Sequence, residues 1–201
     1  MEIQDQTSMP PKVRFLICPL EEAHGHRFCT FWPLARLGPE DKGNLNYDSG
    51  IDLPFPKEVH IEPGRVVQAG LGVKMACFRL YHAPGAFEPP VGIRSAFSLV
   101  PRSSISRPKS AGKPQRSLAM LNSPGLIDVG YNGELCVRLC NLGSEAVVIP
   151  AGEALVQAVS PDLAPPEYTK IAIGDELFQG VFAESGRGAG GFGSTGAAGT
   201  S

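Results

Sequence analysis

Hydrophobic positions along this chain come in short runs. From residue 51 onward, EVHI, RVVQAGLGV, FSLV, ELCVRL, AVVIP and ALVQAV are each four to nine residues long. Gly, Pro, Asn or Asp bounds these runs, which is the pattern of strands separated by turns. In ELCVRLC, Leu135, Val137 and Leu139 fall on one face and Cys136, Arg138 and Cys140 on the other. PAGE, residues 150–153, predicts a tight turn between two such strands. Nearer the N-terminus, VRFLICPL (13–20) and FCTFWPLARL (28–37) predict edge strands or packing arms. No amphipathic helical pattern runs beyond about two turns. The pattern predicts an all-β subunit of short strands, a sandwich, barrel or jelly roll. Periodicity does not fix the strand order.

Composition sharpens this picture. The chain has 201 residues, room for one domain with tails. Its 24 glycines and 19 prolines suit many turns and few long helices. PGAFEPP (84–90) and RPKSAGKPQR (107–116) read as surface loop insertions, with Lys109, Lys113 and Arg116 solvated. A net charge of −2 gives no basic surface, so no nucleic-acid partner is expected. No stretch of about 18 apolar residues exists, so no membrane partner is expected. MEIQDQTSMPPK lacks the apolar run of a secretory signal. Five cysteines without a CxxC point to a reducing compartment, and Cys136 and Cys140 read as small packed side chains. The expectation is a soluble protein of the cytoplasm or nucleus.

Four stretches differ from scaffold. PRSSIS places Arg102, Ser103 and Ser104 after an apolar strand. NSPGLIDVGYNGE reads as a hairpin carrying Asp128 and Tyr131. ALVQ supplies Gln157, and RGAGGFGSTG near the C-terminus supplies Arg187, Phe192, Ser194 and Thr195. Arginines, hydroxyls and glycine amides donate hydrogen bonds, which suits a polyphosphate. Phe192 offers a face for stacking a base. Asp128 suits a sugar hydroxyl or a water nucleophile. Each also has a plainer reading: Arg102 closing a turn, Asp128 and Asp52 bonding local amides, Tyr131 packing in a core, the glycine tail as a linker. Taken together the groups suit a nucleoside triphosphate. The tail lacks the GxxxxGK[ST] spacing of a P-loop.

In this order the stretches resemble the motifs of the trimeric deoxyuridine triphosphatases (dUTPases). DSGIDL resembles the first motif, PRSS the second, GLIDVGYNGE the third, PAGEALVQ the fourth and RGAGGFGSTG the fifth. The resemblance covers about residues 48 to 196. It implies a jelly-roll-like β-subunit assembled as a homotrimer, with active sites at subunit interfaces. It implies cleavage of dUTP to dUMP and pyrophosphate with Mg²⁺, which keeps uracil out of DNA and supplies dUMP. By the same resemblance, Asp128 activates the attacking water and Tyr131 packs on the deoxyribose. Asn122, Gly125 and Ile127 read uracil, and Arg102, Ser103, Ser104 and Gln157 hold phosphates. Asp52 anchors Mg²⁺ through water. Arg187 binds the γ-phosphate, Phe192 covers the base, and Gly193, Ser194 and Thr195 finish the clamp. The implied layout is a partly ordered extension (1–46), the β-domain (47–183) and a flexible arm closing the site (184–201).

The chain departs from the family pattern in places. Ala154 stands where the fourth motif commonly has a basic residue, and Ser104 where the second has glycine. The 26 positions from Arg102 to Asp128 leave room for the RPKSAGKPQR insertion. Ser103, Ser104 and Arg107 also echo the RSS-x-x-R pattern of dCTP deaminase, which shares the fold. That enzyme needs a glutamate where Arg138 aligns. A protein of this fold that binds dUTP without cleaving it is the other alternative, and retention of Asp128 and Arg187 argues against it.

Overall fold

The computed structural model describes residues 12–21, 48–81, 91–108 and 115–182. FCTFWPLARL, PGAFEPP, Lys109, Lys113 and the fifth-motif residues Arg187, Phe192, Gly193, Ser194 and Thr195 lie outside them. The described residues form an all-β fold of fourteen strands, β1 to β14 in chain order. The first sheet runs β14 (Glu167–Lys170), β1 (Lys12–Pro19), β5 (Val73–Tyr81) and β6 (Val91–Ser95). The second runs β10 (Gly125–Ile127), β7 (Phe97–Pro101), β13 (Ala154–Val159) and β2 (Gly50–Pro54). The third runs β4 (Val66–Gly70), β11 (Cys136–Asn141), β9 (Arg116–Met120) and β8 (Ser106–Arg107). A two-stranded ribbon pairs β12 (Val147–Ile149) with β3 (Val59–Ile61). One helix, α1 (Glu176–Phe182), follows β14.

The alternation read in ELCVRLC holds: Val137 and Leu139 are fully buried, while Cys136, Arg138 and Cys140 are half-buried. A main core joins the sheets, with Phe15 of β1 meeting Phe97 of β7 edge-on at 5.2 Å. Leu53, Phe55, Leu99, Leu135 and Leu155 fill it.

Residues 13–20 depart from the expectation. β1 is an interior strand, parallel to β14 on one side and antiparallel to β5 on the other. Val13, Phe15 and Ile17 enter the main core. Leu16 and Cys18 point the other way, into a second cluster with Ile171 and Phe182. A strand covered on both faces reads as a continuous apolar run, which is what FLIC is.

Candidate active site

The second sheet carries most of the predicted residues. Asp52 lies on β2 and Gln157 on β13, directly paired, and Val100 of β7 pairs with Gln157 on its other side. Arg102 follows the end of β7. A bulge in β13 between Ala154 and Val156 shifts the local register. There the Arg102 amide donates to the Leu155 carbonyl at 2.9 Å, and its Nη1 to the Ala154 carbonyl at 2.8 Å. Bulges of this kind re-aim side chains beside sites. The guanidinium Nε then meets Asp52 Oδ1 at 2.8 Å. At Gly50 a Cβ would collide with the Gln157 amide, so glycine there makes room for that side chain.

These residues line an open cleft of about 440 Å³, with Asp48, Ser49 and Ser103 at its wall. That size suits a small ligand. Ser103–Ile105 form a 3₁₀ turn, and Ser104 sits one step back from the cleft. Burial pushes the Asp52 carboxyl above its usual range, the nearby Asp48 adds to this, and the Arg102 guanidinium pulls against both. Among the described residues, no three His, Cys, Asp or Glu side chains gather into a metal cage. One half-buried carboxylate already bonded to an arginine fits a hard cation that keeps its waters and leans on ligand phosphates.

The hairpin is built differently. Gly125, Leu126 and Ile127 pair with Leu99, Ser98 and Phe97. Asn122 closes its base: Oδ1 accepts from the Arg138 amide at 2.9 Å, and Nδ2 reaches the Cys136 carbonyl at 3.5 Å. A side chain at Gly125 would press on the Asn122 carbonyl at 3.0 Å. Asp128 stands exposed at the head, with its carbonyl accepting from the Tyr131 amide at 3.1 Å. Tyr131 leans on the core, and its hydroxyl donates to the Glu134 carbonyl at 2.7 Å. Burial holds that phenol above its usual range. Glu134 in turn accepts from the Gly72 amide at 2.7 Å, so the last residue of GLIDVGYNGE is a brace.

Register sets how far apart these groups lie. β10 runs antiparallel to β7, so Ile127 sits at Phe97 and Asp128 beyond it. Arg102 lies past the opposite end of β7. At about 3.3 Å per residue and 4.8 Å between strands, Asp128 is roughly 20 Å from both Arg102 and Asp52. One chain therefore brings together Asp52, Arg102, Ser103 and Gln157, and separately Asn122, Gly125, Ile127, Asp128 and Tyr131.

Three positions outside the predicted site frame these groups. Arg116, expected in solvent, is 3% exposed. Its Nη1 meets Glu153 at 2.6 Å, its Nε meets the Ile105 carbonyl at 3.2 Å, and its Nη2 meets the Ser104 carbonyl. The signal was present: Arg116 is in phase with Leu118 and Met120 on β9 and faces inward with them. Arg94 of β6 donates to the carbonyls of Tyr131 and Val181, at 3.3 and 3.0 Å. Asn132 donates to the Phe182 carbonyl at 3.0 Å. The end of α1 is thereby fastened to the hairpin.

No protein-family model matches the chain. The deoxyuridine 5'-triphosphate nucleotidohydrolase of African swine fever virus (strain Badajoz 1971 Vero-adapted) is 34% identical over 156 residues, 78% of this chain and 83% of its own length. The enzyme of that name from Solibacter usitatus (strain Ellin6076) is 33% identical over 151 residues, 74% of this chain and 81% of its own. One from Rhizobium etli is 42% identical over 90 residues, 45% of this chain and 53% of its own. Among solved structures, a dUTPase from Streptococcus mutans shares 28% identity over 59% of this chain and 80% of that one, with a TM-score of 0.39. So low a score adds nothing to the sequence relatives.

Proposed function

The chain belongs to the deoxyuridine 5'-triphosphate nucleotidohydrolase family, a dUTP diphosphatase, and from that premise we propose how its residues divide the work. dUTP is cleaved to dUMP and pyrophosphate. The hairpin holds the nucleoside: backbone groups of Asn122, Gly125 and Ile127 pair with uracil, and Tyr131 packs on the deoxyribose where a 2′-OH would need room. Cytosine presents the inverse donor and acceptor pattern, and each buried group left unpaired costs about 1–3 kcal/mol. Thymine is excluded by its C5 methyl.

Arg102, Ser103, Ser104 and Gln157 hold the phosphate chain, whose charge calls for cationic partners. Asp52 would hold Mg²⁺ through water, and the cation would supply further neutralisation of that charge. Asp128 accepts a proton from the attacking water, whose oxygen bonds the α-phosphorus as the bond to the pyrophosphate oxygen breaks. Arg187, Phe192, Gly193, Ser194 and Thr195 of the arm (184–201) cover base and phosphates and exclude bulk water.

The strand register carries the assembly. The cleft and Asp128 are roughly 20 Å apart in one chain by strand spacing, too far to act on one α-phosphate. A neighbouring copy in a homotrimer brings its own hairpin to the cleft. Exposed Leu126 and Val129 on the hairpin, 66% and 44% accessible, supply apolar contact area for that copy.

Complementation tests this. Asp128→Asn and Arg102→Gln subunits, each inactive alone, are co-assembled. Sites shared between copies regain about a quarter of wild-type turnover by random assortment. No recovery in verified mixed trimers would place each site within one chain and end the shared-site reading. Pyrophosphate release from dUTP, dCTP, dTTP and UTP, measured alongside, checks base and sugar selection.

A further inference from the structure

We propose that Arg116 is a positioning residue for the phosphate-holding turn, and that Arg116 and Glu153 together form a cross-brace beneath the cleft. The proposal rests on the reading of Arg102 and Ser103 as phosphate ligands and adds to it what keeps them in place.

The 3₁₀ turn Ser103–Ile105 is seated at its far end, where Ile105 packs on the core and the Ser106 hydroxyl donates to the Leu118 carbonyl. Arg102, its N-cap, makes no side-chain capping bond. The Ile105 amide bonds the Arg102 carbonyl at 3.0 Å, which closes the turn without anchoring it. Arg116 reaches it from behind through the carbonyls of Ser104 and Ile105. Its third bond goes to Glu153, in the turn that leads into β13. β13 is the strand whose Ala154 and Leu155 carbonyls hold Arg102. One guanidinium thus ties together both flanks of Arg102.

The charges explain why a carboxylate belongs there. Arg107 and Arg116 stand directly opposite each other on β8 and β9. Like charges in that relation repel. Glu153 lies between them, 2.6 Å from Arg116 and 3.8 Å from Arg107. Both ends of the RPKSAGKPQR insertion are therefore fixed to the turn before β13. Stability alone is a weak reason for so buried an ion pair, because apolar residues of similar volume often serve as well. They cannot hold two carbonyls at a fixed spacing. A lysine cannot either, since its single ammonium lacks the planar fork that reaches three acceptors.

The test compares two probes on the full-length protein. α,β-Imido-dUTP, a non-hydrolysable analogue, reports nucleoside and phosphates together; deoxyuridine reports the nucleoside alone. Arg116→Lys should bind the imido analogue about tenfold more weakly, the scale of one displaced hydrogen bond to a charged group. Its deoxyuridine affinity should stay within about twofold of wild type, on the same scale. Glu153→Gln, at a partly exposed position, should act in the same direction, and the double variant should lose less than the sum. Wild-type affinity for both probes in both variants overturns the proposal. Equal weakening of both probes also overturns it, because a general loosening of the scaffold would do that. Arg102→Gln separates the two layers. If it weakens the analogue while Arg116→Lys and Glu153→Gln do not, the brace alone is wrong. If it also binds as wild type, the phosphate reading falls and takes the brace with it.

Discussion

The cleft and the hairpin are made of different materials. The cleft is wired by charge: Arg102 to Asp52, and Arg116 to Glu153 with Arg107 beside it. The hairpin is wired mainly by neutral amide and hydroxyl bonds to backbone: Asn122 to Arg138 and Cys136, Tyr131 to Glu134, Asn132 to Phe182. Charge enters as single bonds to backbone, from Arg94 to the Tyr131 carbonyl and from the Gly72 amide to Glu134, with no ion pair between them. A triphosphate is recognised by charge, and long-range attraction tolerates some error in position. An uncharged base is recognised by the spacing of donors and acceptors, so the surface that reads it has to be rigid before the ligand arrives. Damage to the cleft should therefore weaken the hold on phosphates broadly. Damage to the hairpin should instead change which nucleotide is accepted.

The largest expected effect breaks the chemistry and spares both surfaces. Asp128→Asn should lower kcat by about three orders of magnitude or more, the scale of losing a general base. dUTP affinity by calorimetry should stay near wild type; near-normal turnover would remove Asp128 from its role. Deleting residues 184–201 should cost about a hundredfold or more in turnover, comparable to losing aligned donors to a developing charge. The deleted protein should still run as a trimer in light scattering, and full activity would mean that the tail has no part in the reaction.

A smaller effect tests the hairpin's claim to selectivity. Tyr131→Ala should raise kcat/KM for UTP relative to dUTP by about tenfold, the discrimination one apolar contact supplies. An unchanged ratio would mean that the sugar is read elsewhere. The smallest effect concerns rigidity alone. Asn122→Ala removes the bond from the Arg138 amide and should cost about 1–2 kcal/mol in unfolding free energy. If stability is unaffected, the hairpin is held by its β7 pairing without help from Asn122.

Much of this was legible from the chain. The turn at PAGE and the inward face of ELCVRLC follow from local spacing, and local spacing is what a sequence displays. Each motif residue alone has a plainer use, in a turn or a core; only their order along the chain pointed to a nucleotide site. Where they sit relative to one another was not legible. Gln157 pairs with Asp52 through a register that no short window contains. Residues 13–20 were misplaced because burial on both faces erases the alternation that marks a strand. Arg116 was misplaced because its surroundings, KSAGKPQR, are those of a solvated loop. Its carboxylate partner lies 37 positions further on. Composition cannot separate an arginine in water from one that meets its counter-ion only after folding.

The pairing of β1 with β14 carries a consequence in time. Arg14 faces Glu167 and Ile17 faces Lys170, so one of the earliest described strands is completed by one of the last. Contacts between segments so far apart in sequence form slowly, because a long loop must close first. During synthesis β1 can pair with β5 well before β14 leaves the ribosome, but its other edge stays open until then. An open strand edge is a template for pairing with other chains. Synthesis that stalls before residue 167 would leave that edge bare, and such fragments are expected to aggregate rather than wait.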